Sequence, residues 1–448
     1  MMSPSFSLVA TLLLLFVLVY RYLLYPSLVS PLSKIPNAHP LCCITPKWFE
    51  RERKQGRELK ALFAAHETHG PVVRIAPEEI SVVSLEGLRN VYTAGLVKHP
   101  WYKAKFENYA TPNLVSMLDH RSHSIQKRMI TSIYAKSYIQ RSEDVALLSK
   151  TILREHFEPL LKGYANEGTD VNVMELFQSA GIDFMTAYIF GVAHKTSFLV
   201  DKVRRDEYFE EWIKIRDFDE LGEKNIVEST CMELLEATIA DQSDQAAAGE
   251  TKPVVFSVLY EQLREKATGS GTKLADEELN KRFASEVLDH IIAARETFAI
   301  TLTYAVHCLS QDPPLQASLR TELLTLNPVV SGDISGSELP PADTIDRLPL
   351  LAGILYETLR LYAAVAGRQP RIVPPEGIVL HGHQIPGGTT VSSNAYCMHR
   401  HEDAFPRRFE WLPQRWLPYA KRNAEARSFP SSEEARRWFW AFGSGGRM

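Results

Sequence analysis

A chain of 448 residues, 45% hydrophobic and 23% charged with a net charge of −4, has ordinary globular composition. Near-neutral charge without a Lys/Arg block excludes a polyelectrolyte and predicts no nucleic-acid partner. Five scattered cysteines, an odd number, exclude a disulfide scaffold or zinc-type cluster and suit a reducing compartment.

The first predicted element is an apolar run from Phe6 to Tyr25. Twenty helical residues reach roughly 30 Å, one hydrocarbon thickness. A cleaved signal peptide would need a basic start and a small-x-small site, and neither is present. Residues 1–25 are therefore expected to be a single-pass anchor. Basic residues fall at the end of the apolar run and after it, at Arg21, Lys34 and Lys47, which predicts a luminal N-terminus and a cytosolic body. Pro26, Pro31, Pro36 and Pro40 make 26–47 a stiff, non-helical connector. The remaining 48–448 reads as one large domain. A helix over 52–69 ends at Gly70-Pro71, and two strands follow around Pro77. Helical patterns then dominate to about 320, with surface loops at 241–250, 266–273 and 327–346. A helix over 349–362 precedes a turn-rich β region at 371–393. The expected class is mainly α with a minor β region.

Five constellations carry chemical content. Ala293-Ala294-Arg295-Glu296-Thr297 sets an acid beside a hydroxyl in an apolar helix, an arrangement able to relay protons. The Thr297 hydroxyl can instead bond back one turn and bend that helix. Glu357 and Arg360 pair at i,i+3, and the apolar helix around them suggests burial. Pro413 fixes an elbow that presents Arg415 and Trp416, and Arg415 suits a second fork on Glu357. Phe442 to Arg447 combines an aromatic, three glycines and an arginine, fit for a flat anionic ligand or simply a flexible tail. His123, Lys127 and Arg128 fall along a helix edge, able to address a carboxylate or to form a solvated basic face.

Taken in order, Glu296-Thr297, Glu357-x-x-Arg360, Pro413-x-Arg415-Trp416 and Phe442-x-x-Gly445-x-Arg447 resemble the motifs of the cytochrome P-450 family, in its fungal microsomal style. The resemblance implies the cytochrome P-450 fold behind an anchor in the endoplasmic reticulum membrane. It implies haem as cofactor, with electrons from NADPH through a separate reductase. Dioxygen and a small, apolar organic substrate would be the reactants, in secondary-metabolite biosynthesis. Glu296 and Thr297 would be catalytic. Glu357, Arg360 and Arg415 would form a structural triad. His123, Lys127, Arg128, Arg371, Phe442, Gly445 and Arg447 would contact haem. Specificity would come from side chains within 95–120, 200–230 and 289–300. Phe106, Tyr109, Phe209, Trp212 and Phe298 would line an apolar cavity or belong to the core.

Departures from the family pattern are Ala294 for a frequent Gly, Phe298 for a hydroxyl residue, and Ala363 and Ala366 for prolines. The family's iron-ligating cysteine would follow Met448, so no metal ligand is expected among these residues. Axial thiolate favours O–O cleavage. The expectation is a break in the record or gene ahead of that cysteine, and the rival is a truncated, non-catalytic relative.

Overall fold

Why a five-residue segment such as Val72-Val73-Arg74-Ile75-Ala76 is buried at every position becomes clear from its neighbours. In the computed structural model, which describes residues 4–215, 225–243, 252–269, 276–329 and 339–445, it is strand β1 (Val72–Ala76) of a five-stranded sheet. The other strands are β2 (Glu79–Val82), β3 (Val97–Lys98), β4 (Arg371–Ile372) and β7 (Thr390–Ser392), in the order β1-β2-β7-β4-β3. Only the β2–β7 pair is parallel. A hairpin of β5 (Ile378–Leu380) and β6 (His383–Ile385) turns through His381 and Gly382, both at positive φ as a two-residue primed turn requires.

The chain forms two compact units. One comprises Met1–His99, Val365–Glu410 and Ala424–Met448 and holds the sheet. The other comprises Pro100–Ala364 with Trp411–Asn423 and is helical. Its apolar cluster runs from Met129 to Ile291, with Phe190, Phe283, Val287 and Leu288 almost fully enclosed. The predicted class therefore stands, and the expected strand pair and the helix over 349–362 appear as β1–β2 and Pro349–Leu361. The predicted 52–69 helix is two helices, Lys47–Lys54 and Glu58–His69, because Gly56 adopts a positive φ between them. Parts of the predicted loops at 241–250, 266–273 and 327–346 lie outside the described residues.

The N-terminal helix Pro4–Val19 continues as a wider-wound helix through Val29. Leu8–Val29, 22 residues, is long and apolar enough to cross a membrane; its most apolar stretch is not buried in the protein, whereas Pro26 near its end is. The connector departs from the expected non-helical rod. Pro26 lies inside the helix, while Pro31 and Pro40 open short 3-10 turns, where a missing N–H costs nothing. Residues 36–38 then bond to β1: the Arg74 N–H donates to Pro36 O (2.8 Å) and the Ala38 N–H to Arg74 O (2.9 Å). Leu32, Ile35 and Cys42 are buried, so hydrophobic burial overrides the spacer character that proline spacing suggests.

His66 joins the Glu58–His69 helix to β2. Its Nδ1 lies 2.9 Å from Gly70 O and its Nε2 lies 2.8 Å from Ser81 Oγ. A carbonyl can only accept, so Nδ1 carries the proton and Nε2 accepts from the serine. Burial pushes the imidazole down to about 4, the Gly70 carbonyl pulling weakly the other way. The unfolded chain thus binds a proton that the folded one refuses. This contribution to stability is complete above about pH 6.5 and falls away as pH drops toward the folded value. Chemical denaturation between pH 7.5 and 5 is expected to show falling stability, and His66→Gln should flatten that slope.

Candidate active site

Pro349 pre-sets the first turn of the Pro349–Leu361 helix, and its apolar face draws Glu357 and Arg360 inward. Both are fully buried, and Arg415 is 2% exposed. Glu357 Oε1 accepts from Arg360 Nη2 (2.8 Å), Arg415 Nε (2.9 Å) and the Leu412 N–H (2.9 Å). Its Oε2 accepts from Arg360 Nε (2.9 Å) and Trp416 Nε1 (2.8 Å). Burial alone would raise this carboxyl, but the Arg360 and then the Arg415 guanidinium hold it below the ordinary glutamate range. The elbow can approach because residue 353 is glycine. A Cβ there would sit 2.9 Å from Pro413 O. Trp411 Nε1 adds a bond to Thr358 Oγ1 (3.1 Å), and Arg422 caps the Arg415 carbonyl (2.6 Å).

Glu296 and Thr297 occupy a distortion of the long helix. Asp276–Ala293 and Ala299–Ser310 are regular, and Ala294–Phe298 between them is a single π-helical turn. Such turns store local strain and expose backbone, and they recur at functional sites. Thr297 Oγ1 donates to Ala293 O at 3.0 Å, the bond-back anticipated for this hydroxyl. Glu296 is about one-third exposed and pairs with Arg295. Arg295 is 4% exposed, and its guanidinium carbon lies 4.7 Å from the ring centroids of both Phe209 and Trp212. Those rings therefore hold a cation, a role their apolar character did not suggest. Phe298 is 41% exposed and meets Phe177 edge-on, while Phe106 packs with Trp101 and Tyr102. Within 200–230, residues 216–224 lie outside the described residues.

Two positions with no motif of their own hold the long helix that carries this turn. Gly181, on helix Val173–Phe190, would with a Cβ come within 2.9 Å of Ala294 O. Glu286, 1% exposed, accepts from the Leu114 N–H (2.9 Å) and Gln126 Nε2 (3.3 Å) and pairs with His290 (3.4 Å). It ties the acid-bearing helix to helix His120–Ile130. A bulky apolar helix with an isolated internal Glu or a neighbouring helix with Gly was the only available signal for either.

On the His120–Ile130 helix, capped by Asp119, His123 is 2% exposed and Lys127 half-buried. Arg128, one residue further round, is exposed. In the other unit Arg371 of β4 is 2% exposed and lies over the Tyr92 ring at 5.1 Å. The same tyrosine shapes the glycine loop. Its ring packs on Trp440 with centroids 4.7 Å apart, and its carbonyl oxygen occupies the space a Cβ on Gly445 would need. Trp440 is itself fixed by His399 Nε2 (2.7 Å) and Ser444 Oγ (2.9 Å). Gly443 and Gly445 take positive φ, and Phe442 is 70% exposed. Arg447 lies outside the described residues.

Taken one unit at a time, the side chains are compatible with the organic part of a haem: in the sheet-bearing unit the buried Arg371 guanidinium suits a carboxylate and the glycine loop beside the exposed Phe442 ring suits a flat group, and in the helical unit the buried His123 imidazole is a further carboxylate partner. The five cysteines do not lie in this loop. Burial pushes Cys42 up to about 11 and Cys231 and Cys397 up to about 12, and raises Cys308 as well. These four are thiols near neutral pH, not ready thiolate donors.

A buried Glu–Arg–Arg centre, an acid–alcohol π turn and a terminal glycine cradle in this order define a haem-thiolate oxidoreductase scaffold. The family model described as Cytochrome P450 matches residues 36–448, and the chain belongs to that family. It is similar to cytochrome P450 monooxygenase avaI of Aspergillus versicolor, 27% identical, with 84% of this chain and 89% of the relative covered. Cytochrome P450 monooxygenase orf2 of Aspergillus niger is 25% identical, covering 88% and 79%. Cytochrome P450 monooxygenase ucsK of an Acremonium species is 25% identical, covering 88% and 78%.

Glu357→Gln leaves two buried guanidinium groups without a counter-charge and should cost about 3–5 kcal/mol in denaturant unfolding. Because the Glu357 carboxyl is depressed, the wild-type contribution is complete above about pH 4.3 and is lost as pH falls below it. Gly181→Ala forces backbone apart at the π turn and should cost about 1–3 kcal/mol in the same measurement. An unchanged midpoint would show that the two helices separate freely.

Proposed function

We propose that the protein is a haem-dependent monooxygenase that inserts one oxygen atom of dioxygen into an apolar organic substrate in fungal secondary metabolism. The observation that carries this reading is the π turn that sets Glu296 beside Thr297 in a chain of this family. Haem, when bound, would supply reductive activation of dioxygen. The chain's own residues supply protons, position and dryness. Glu296, part exposed, can take protons from solvent, and Thr297 Oγ1, directed by the Ala293 carbonyl, can orient a neighbouring proton donor. Glu357, Arg360 and Arg415 hold the segment from Leu412 to Trp416 in place. His123, Lys127, Arg371, Phe442 and Gly445 would contact the haem, with Arg128 and Arg447 as further cationic contacts.

Leu8–Val29 supports a membrane anchor, and the basic residues after it support a cytosolic body on the endoplasmic reticulum. NADPH would act through a partner reductase. The relatives named as fungal monooxygenases support the reaction class, and the pathway assignment extends from their fungal sources.

Expressed in microsomes with an NADPH-dependent reductase, the gene product should transfer isotope from labelled dioxygen into an apolar substrate that perturbs its haem spectrum. Perturbation without label incorporation in any such substrate would overturn the reading. Glu296→Gln should retain haem and lower product formed per NADPH by about a hundredfold. Equal yield would remove Glu296 from proton delivery.

A further inference from the structure

Arg295 is a cation buried one residue ahead of the proposed proton donor. At 4% exposure a leucine or methionine would be the less costly occupant. Helix Lys202–Ile215 receives the guanidinium. Tyr208, Phe209 and Trp212 of that helix are buried and share one face, three and four residues apart. The guanidinium carbon lies 4.7 Å from the ring centroids of both Phe209 and Trp212. Away from water, two aromatic faces offset part of the cost of burying the charge and hold it in place.

The same guanidinium pairs through Nη1 with Glu296, the next residue. Adjacent side chains diverge on a regular α-helix and do not face each other. Ala294–Phe298 is a π turn, and its wider winding narrows the angle between successive side chains. The distortion therefore lets a buried cation meet a part-exposed acid beside it. The Glu296 side chain is 35% exposed, and a free glutamate there would spread over several rotamers. Pairing with a cation fixed by two rings selects one of them. Thr297 is restrained by other means, its Oγ1 donating to Ala293 O (3.0 Å). The alcohol is thus held by its own helix, and the acid by a neighbouring helix through Arg295.

We propose that Arg295 is a positioning residue for Glu296: held against Phe209 and Trp212, it fixes the carboxylate in the orientation from which protons taken from solvent pass toward Thr297. The proposal deepens the reading of Glu296 as a proton donor and rests on it. A guanidinium does not give up its proton near neutral pH, so the contribution of Arg295 is geometric. Proton transfer needs the acid within hydrogen-bond reach of its acceptor, and a small misplacement is costly in rate. A lysine at this position would keep the charge and a contact with the rings, though not the planar fork.

The test is a double-variant cycle on the gene product in microsomes with an NADPH-dependent reductase. Arg295→Met, similar in length and apolar, should lower product formed per NADPH by about tenfold. In the Glu296→Gln background the same change should lower it no further, and Arg295→Lys should recover most of the yield. Trp212→Leu, which leaves Arg295 present but loosens it, should act in the same direction and likewise lose its effect beside Glu296→Gln. It keeps the proposal falsifiable where Arg295→Met fails to fold. Infrared difference spectra of the full chain give a readout that does not depend on turnover. The band lost in Glu296→Gln is the Glu296 carboxylate stretch, and Arg295→Met or Trp212→Leu should shift it. An unshifted band, or a loss of yield that persists in the Glu296→Gln background, would make the role of Arg295 purely structural and overturn the proposal. Undiminished yield in Glu296→Gln itself overturns the proton-delivery reading and the proposal with it, whereas a Glu296→Gln loss that neither Arg295→Met nor Trp212→Leu reproduces overturns the proposal alone.

Discussion

Glu357 is a carboxylate held out of water by its own protein, and the helical unit is organised around satisfying it. Five hydrogen bonds reach its two oxygens, from two arginines, a tryptophan and a backbone amide. Three of the four donating residues belong to Leu412–Trp416, far away in the chain. The carboxylate therefore acts as the anchor that returns this segment to the Pro349–Leu361 helix. Such an arrangement is poor as a source of net stability, because desolvation consumes much of the Coulomb gain. Its value lies in specificity. An apolar replacement could fill the volume, but could not fix where the Leu412 amide, the Arg415 fork and the Trp416 indole sit.

From that centre the constraint passes to the acid–alcohol turn. Tyr362, directly after the Glu357 helix, stacks on Tyr304 with centroids 4.0 Å apart and planes 4° apart. Tyr304 lies on Ala299–Ser310, the continuation of the π turn. On the other side Gly181 lets helix Val173–Phe190 touch the turn's backbone. The π turn is thus gripped at both ends, which is how a less favourable winding persists. Arg295 extends the grip to Phe209 and Trp212. The partner of Glu296 is thereby held to helix Lys202–Ile215, so movement of that helix would change the electrostatic setting of the acid.

What the sequence made legible follows from the distance over which each interaction acts. Glu357 and Arg360 sit within one turn, and Pro413 fixes the elbow beside Arg415. Local rules suffice to nominate all three, and the structure brings them to one point. The Thr297 bond to Ala293 is local in the same sense. Gly181, Gly353 and Glu286 were not legible, because each matters only through a partner remote in sequence. Nor was the cation between Phe209 and Trp212, since aromatic residues on an amphipathic helix look the same whether they face substrate, core or guanidinium. The proline connector failed for a related reason. Proline spacing predicts local stiffness, but Leu32 and Ile35 are buried, and the backbone at 36–38 finds its hydrogen-bond partners on β1.

Two buried guanidinium sites then invite comparison. Arg360 and Arg415 share one carboxylate that is itself fully bonded, so one of their two charges is matched inside the protein. Arg74 meets two carbonyl oxygens and keeps an unbonded Nε. If rigidity were its only purpose, a methionine of similar length would fill β1 without the cost of burying charge. The carbonyls Arg74 holds belong to Pro26 and Pro77, a helix residue and a turn residue that lack N–H groups of their own. A proline-rich junction is short of donors, and a five-donor guanidinium supplies them in one plane. That accounts for an arginine rather than a lysine at this position.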